Sequence, residues 1–410
     1  MKQKIEQLNQ WLQIIVLVTV PVEPKILNNI AIILWGVSTV LVINKDRLEQ
    51  YGWRFITPFL VYFAVLIAGW LYGPDPFSRE GGSFVEARIT LLIIPVLLLL
   101  SPRADLDRAL RWFVATCIIL CLVCLVGAIL KTFEYNNFHG LPTLQLNPWF
   151  FTYYLYTDHV HLHPTYFAMF LMVAIVYLLG WRREKPLPWY SWAIVLFLSV
   201  NIIALMSRMV LGLLVIYYGV YLFFGFTVTI KKKLAFAGAG LLVLILVLMN
   251  PVAQQRVRDI FDDEKSLFSG SNLKLDMWTA LYSDIITENV VLGIGPINQD
   301  ETIREVYKKH NLTEPYEYNF NSHNQYIEAW VHHGLIGVLS LIFLYGYYLR
   351  YGTRKSNYLL VVVVSIMIVT SLTESLLLRQ KGILFMSFIV PFIAFNLTPP
   401  ATSKEHMETP

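Results

Sequence analysis

The sequence predicts an all-α, polytopic integral membrane protein with about twelve transmembrane helices, and three observations carry that prediction. Hydrophobic residues make up 56% of the 410 residues and charged residues only 15%, against about 25% charged in a soluble domain. Mean hydropathy is +0.55. Several apolar runs reach the ~20 residues that cross a ~30 Å hydrocarbon core as helix, whereas buried strands would stop at about 4–8.

The spanning segments fall near 9–22, 26–43, 55–73, 86–101, 111–131, 163–181, 188–206, 209–227, 234–250, 326–349, 357–373 and 382–397. The first is short and interrupted at "PVEPK". The N-terminus has a basic start and an apolar core without a small-x-small cleavage site, which makes it a retained helix rather than a signal peptide. Cys117, Cys121 and Cys124 share one helix face inside an apolar run and read as packing residues. No internal repeat is visible.

Orientation follows the positive-inside rule. With the N-terminus cytoplasmic, the inner connections hold "KDR" at 45–47, Arg54, "SPRADLDRALR", "WRREK", "KKK" at 231–233 and "RYGTRK". The outer side keeps Lys25, Arg79, Arg88, Lys131, Arg208, Arg379 and Lys381. Three regions result: residues 1–250 with nine helices, 251–325 as a large outer loop, and 326–410 with three helices and a cytoplasmic tail. The loop carries helical patterns ("NLKLDMWTALYSDIIT", "QDETIREVYKKHN") expected to lie as amphipathic helices on the outer membrane face, and "LGIGP" reads as a turn. A net charge of +4 without Lys/Arg clusters interleaved with aromatics gives no nucleic-acid signal.

Candidate chemistry sits at the outer face. Arg208 interrupts "NIIALMSRMVLGLLV"; it reads either as an arginine snorkelling to lipid phosphate or as a bidentate anion ligand. Lys274 precedes Trp278 by one helical turn, an arrangement that anchors a helix at an interface. In "NSHNQYIEAWVHHGLIGVLSL", His323 and Asn324 precede the tenth spanning helix, whose free N–H groups favour anions. Ser322 or Asn321 is the expected cap, and a histidine side chain such as His323 can take or give a proton. His332 and His333 lie deeper, with Gly334 and Gly337 permitting close helix contact. Glu328 with His332 supplies two ligands, too few for zinc, so no metal and no other cofactor is expected. In "TDHVHLHP", Asp158, His159, His161 and His163 read as an extended segment with alternating faces. Glu374, in "LTES", is an outer carboxylate placed to pair with Arg379 or Arg208. Topology brings Arg208, Lys274 and His323 to one depth, where two cations beside a titratable group suit a lipid-linked diphosphate.

These motifs resemble the O-antigen ligase/O-antigen polymerase superfamily of bacterial envelope glycan enzymes. Ser207–Arg208 ahead of an apolar helix, "LKLDMW…LGIGP", "SHNQYIEAWVHHGLIG" and "LTES" carry the resemblance, together with a large periplasmic loop between the ninth and tenth helices. One position departs: the family's arginine four residues before the tryptophan is Lys274, and Arg256, Arg258 or Lys265 are substitutes in the same loop.

The resemblance implies a GT-C-like membrane glycosyltransferase of the bacterial inner membrane with both termini cytoplasmic. It would transfer a glycan from undecaprenyl diphosphate to an acceptor hydroxyl at the periplasmic face, metal-independent and inverting. Arg208 and Lys274 would bind the diphosphate and His323 would act as general base, supported by Asn324, Ser322, His163, Arg88 and Glu374. The acceptor is lipid A-core for a ligase, or another lipid-linked repeat for a polymerase; a single dominant loop leans toward ligase. Besides these substrates, the partners expected are membrane lipids, with no nucleic acid. A polytopic transporter is the reading from another class; it would place charges near the bilayer midplane and break helices in related halves.

Overall fold

The computed structural model describes residues 2–73, 75–143, 145–180, 188–224, 272–297 and 299–396, with Gly238 alone between 224 and 272. Every regular element among them is helical. In order these are α1 (Lys2–Thr19), α2 (Lys25–Val42), α3 (Asp46–Tyr51), α4 (Thr57–Tyr72), α5 (Arg79–Arg88), α6 (Thr90–Leu100), α7 (Leu106–Phe138), α8 (Tyr153–Thr157), α9 (Pro164–Leu179), α10 (Trp189–Ala204) and α11 (Arg208–Phe224). After the gap come α12 (Asn272–Leu281), α13 (Gln299–Lys309), α14 (Thr313–Glu317), α15 (Gln325–Arg354), α16 (Tyr358–Thr370), α17 (Gln380–Leu384) and α18 (Val390–Asn396). A helix lies at each expected apolar segment except 234–250, which falls outside the described residues, as do "WRREK", "KKK", Arg256, Arg258, Lys265 and the tail.

Among the described residues four helices are long and apolar enough to cross a bilayer: Lys25–Val42, Arg79–Leu100, Leu106–His139 and Gln325–Arg354. Tyr153–Val160 and Pro164–Leu179, bent by 78°, form a fifth if taken as one broken span. Five shorter apolar helices accompany them.

Burial explains their arrangement. A helix apolar all round belongs inside a bundle, and α9 is buried along nearly its whole length, as are α17, α18 and the π-helical turn between them. By contrast α2 turns Ile33, Val37, Val40 and Leu41 outward, each more than half exposed. A face of that kind is stable only against hydrocarbon. Cys117, Cys121 and Cys124 are buried and unbonded to one another.

Polar ties hold the bundle where no water reaches. Asn9 on α1 donates to Ser38 and Thr39 on α2, both at 2.9 Å. At the end of the bundle where α18 finishes, buried Arg47 donates to the Leu98 carbonyl at 2.6 Å and to Asn396 Oδ1 at 2.7 Å.

The outer loop is a lobe with its own core. Met277, Ala280 and Leu281 of α12, Ile285 and Ile286 of the π-helical turn after it, and Ile303, Val306 and Tyr307 of α13 pack together, closed by Val331 of α15. The apolar stripes of these two helices face one another. Lys309 and His310 reach Asp284 at 2.8 and 3.2 Å, pinning α13 to the same core.

The tenth apolar segment is not one straight helix. Gly334 leaves helical geometry at φ 61° and ψ −159°, and the "LGIGP" backbone enters the break. Ile294 N–H donates to the Val331 carbonyl at 2.8 Å, Gly295 to His332 at 3.0 Å, and Leu335 to Val290 at 2.8 Å. A Cβ on Gly334 would lie 2.2 Å from the Val291 carbonyl, and one on Gly293 2.6 Å from the Gly334 nitrogen, so the crossing requires both glycines. The expected turn is thus a backbone clamp.

Candidate functional site

The site is built where α15 starts. Asn324 is the cap: its Oδ1 accepts from the Tyr326 and Ile327 N–H groups at 2.9 and 3.1 Å. The expected caps, Asn321 and Ser322, are employed otherwise. Asn321 Oδ1 accepts from the His323 N–H at 2.8 Å and turns the chain, while Ser322 Oγ lies 3.0 Å from the Asn324 carbonyl and gives its proton to Glu328. Between them His323 takes a left-handed φ of 49°, a strained conformation for a histidine that persists only when its surroundings impose it.

The surroundings are a knot around Glu328. This carboxylate, 2% exposed, accepts from the Ser322 N–H at 3.2 Å, from Ser322 Oγ, and from Ser375 Oγ at 3.3 Å. It thereby staples the loop before α15 to the loop after α16. Gln325 adds two ties, its N–H donating to the Ser371 carbonyl at 2.8 Å and its Oε1 accepting from Leu377 N–H at 2.6 Å. From the lobe, Trp278 Nε1 donates to the Ser322 carbonyl at 2.7 Å and Lys274 Nζ to the Thr373 carbonyl at 2.9 Å. The Lys274–Trp278 face therefore docks onto the two site loops rather than anchoring the lobe in lipid.

This knot brings charged groups together at one end of the bundle, where α9, α11 and α15 begin and α16 ends. Glu374 Oε2 lies 3.8 Å from His323 Nδ1, too long for a hydrogen bond but close for charges, and Thr165 Oγ1 donates to Glu374 Oε1 at 3.5 Å. The side chain beside Glu374 is that of His323, correcting the expected pairing with Arg379 or Arg208. Burial pushes the Glu374 carboxyl up, yet the contact with His323 and the charges of His163 and Lys274 outweigh it and hold it below its usual range. Lys274 is depressed by burial first; Glu374 opposes that shift and Arg208 adds to it, so the lysine feels both neighbours. Arg208 itself is exposed at the first turn of α11, beside buried Ser207.

His163 caps α9, its Nδ1 accepting from the Thr165 N–H at 3.3 Å, and the charges of Glu374, His323 and Lys274 reach it. The rest of "TDHVHLHP" is not extended. Asp158–Val160 forms a 3₁₀ turn and His161 is left-handed. Asp158 pairs with Lys131, and His159 packs where a Cβ on Gly127 would meet it at 2.5 Å.

Arg88 is not with the cluster. Its guanidinium lies over the Phe84 ring at 3.9 Å and lines a small interior cavity with Gln325, Glu328, His332 and His333. His332 Nε2 is 3.1 Å from Glu328 Oε1 but out of line for a hydrogen bond. Among the described residues no three His, Cys, Asp or Glu side chains are grouped as metal ligands.

The geometry therefore unites Lys274, His323, His163 and Glu374, places Arg208 within electrostatic reach of Lys274, and leaves Arg88 below. The positioning roles of Glu328, Gln325 and Ser375 were missed. For Glu328 a signal existed: a carboxylate inside an apolar helix is costly enough to require partners.

The family model described as O-antigen ligase matches residues 193–342, a range that contains Arg208, Lys274 and His323. This stretch is similar to the O-antigen ligase family. No curated protein matches the chain. The family implies glycan transfer of the ligase or polymerase type, with a lipid-linked glycan and a glycan acceptor as substrates. The apolar helices and the O-antigen ligase match together describe a membrane protein.

Proposed function

We propose that the protein is an O-antigen ligase-type, GT-C-like glycosyltransferase of the bacterial inner membrane, with twelve spans, cytoplasmic termini and an active site on the periplasmic side. It transfers a glycan from undecaprenyl diphosphate to a hydroxyl of lipid A-core. The regions 1–250, 251–325 and 326–410 are its N-terminal helices, periplasmic lobe and C-terminal helices. The observation that carries the reading is the grouping of Lys274, His323, His163 and Glu374 at one end of the bundle, with Arg208 acting on Lys274.

The chemistry is a single displacement. The acceptor oxygen attacks the anomeric carbon, the bond from that carbon to the diphosphate oxygen breaks, and the configuration inverts. His323 takes the acceptor proton. With Nδ1 turned to Glu374, Nε2 is left for the hydroxyl, and the carboxylate stabilises the imidazolium that forms. The leaving diphosphate gains charge as the bond breaks, so cations aimed at it favour the transition state over the ground state. Lys274 uses one of its three N–H donors on Thr373 and keeps two for phosphate oxygens. Arg208 supplies the planar fork that Lys274 lacks. Transfer needs no metal in this scheme.

The test uses purified protein, a lipid-linked oligosaccharide and two acceptors, lipid A-core and a second lipid-linked repeat. His323→Ala should lower transfer by about 10²–10⁴-fold with the fold intact. A well-folded variant transferring at the wild-type rate overturns the assignment. Extension of lipid A-core supports ligase, and extension of the lipid-linked repeat alone makes the enzyme a polymerase.

A further inference from the structure

Beside His323 the chain turns aromatic surface outward. Phe320 meets the His323 ring edge-on, with centroids 5.5 Å apart and planes at 85°. Tyr318 stacks on Phe320 at 6.1 Å with planes only 25° apart, and it is 69% exposed. On the opposite flank Tyr154 lies edge-on to His163 at 5.1 Å, Tyr153 adjoins it at 4.4 Å, and Tyr154 is 48% exposed. Two aromatic pairs thus border the same charged cluster, one on each histidine.

Phe320 packs partly against the lobe core, but packing does not account for exposed Tyr318. The lobe core is closed without Tyr318, whose ring does no burial work for it. The local backbone nevertheless presents the ring: α14 ends at Glu317, Asn319 takes a left-handed φ of 51°, and the Asn321 turn follows. The result is a flat apolar surface beside the Asn321 amide, whose Oδ1 accepts from the His323 N–H, while the Asn319 amide is turned to Asp300. A phosphate would want cations there, and an acyl chain would want a wider surface without an amide. A pyranose ring has one face of C–H groups and a rim of hydroxyls, which fits a flat aromatic bordered by a planar hydrogen-bonding group.

We propose that the Tyr318–Phe320 platform is a sugar-ring subsite that seats the acceptor-side pyranose against His323, with Tyr154 closing the far flank. The proposal rests on the reading of His323 as the base toward the acceptor hydroxyl. Stacking fixes the ring plane, and the hydroxyl to be glycosylated then points at the imidazole, a positioning effect.

The experiment measures transfer by the full-length enzyme at varied acceptor and fixed saturating donor, then the converse. Tyr318→Ala should raise the acceptor KM by about tenfold or more, the effect of losing ~1.4 kcal/mol of contact. The kcat at saturating acceptor should also fall, because the hydroxyl is no longer oriented, while the donor KM should stay at its wild-type value. Tyr318→Phe, which keeps the flat face, should resemble wild type. Tyr318→Leu, which keeps apolar area without a flat face, should follow Tyr318→Ala. The subsite is overturned if acceptor KM is unchanged in Tyr318→Ala, if donor KM rises in step, or if Tyr318→Leu behaves as wild type, the result a lipid contact would give. His323→Ala run alongside separates the two ideas. An inactive His323→Ala with an unaltered Tyr318→Ala removes only the sugar subsite, whereas an active His323→Ala removes the base on which it rests.

Discussion

At the scale of single residues, the pair His323–Glu374 governs both chemistry and stability. Because Glu374 is held below its usual carboxylate value of 4.5, folding favours its ionised form. That stability is complete above the unfolded value and is lost as pH falls through the lower folded one. Glu374→Gln should therefore flatten the acid side of the thermal-midpoint profile below pH 4.5, since the glutamine does not titrate. Wild type and variant losing stability in parallel over that range would contradict the assignment. Much of this pair was readable beforehand: a histidine ahead of an apolar helix and a carboxylate after another had no reason to be there but contact or chemistry. What the letters did not reveal was the partner. Glu374 had two arginines to choose from, and the choice of His323 depends on how the Glu328 knot aligns two loops distant in sequence.

At the scale of elements, apolar periodicity placed the helices well because lipid burial dominates their energetics. It failed where backbone conformation decides. "VHHGLIG" reads as uninterrupted helix, yet Gly334 breaks it because the 290–295 backbone supplies hydrogen bonds that the helix forgoes. "TDHVHLHP" reads as extended, yet a short 3₁₀ turn forms since His163 caps α9 and draws the chain around. The amphipathic patterns of α12 and α13 cannot say whether lipid or another helix covers them. Gly334→Ala should be severe, combining a left-handed φ that costs about 1–3 kcal/mol in an alanine with a contact at 2.2 Å to the Val291 backbone. Thermal unfolding in detergent should show a large fall in midpoint, while Gly346→Ala on the same helix, with open space around it, should not. Equal midpoints for the two variants would refute the clamp.

At the scale of the whole molecule, the proposed orientation puts the lobe and the charged cluster outside. The native cysteines are buried in α7, so new ones can report sidedness cleanly. Cysteine at exposed Glu301 should react with an impermeant maleimide in intact spheroplasts, and cysteine at exposed Lys355 only after permeabilisation. The reverse pattern would invert the molecule and sever the cluster from periplasmic chemistry. The clamp at Gly334 carries one more consequence. The carbonyls of Val331 and His332, freed by the break, are satisfied by amides contributed from Ile294 and Gly295. A lobe whose backbone does not enter the break would take those amides away, leaving the Val331 carbonyl unmet and the His332 carbonyl with the Tyr72 hydroxyl alone, where an unmet polar group costs several kcal/mol. Specificity cannot be transplanted here as a detachable cassette: a chimaera must carry residues 290–337 as one graft or the membrane half will not accept it.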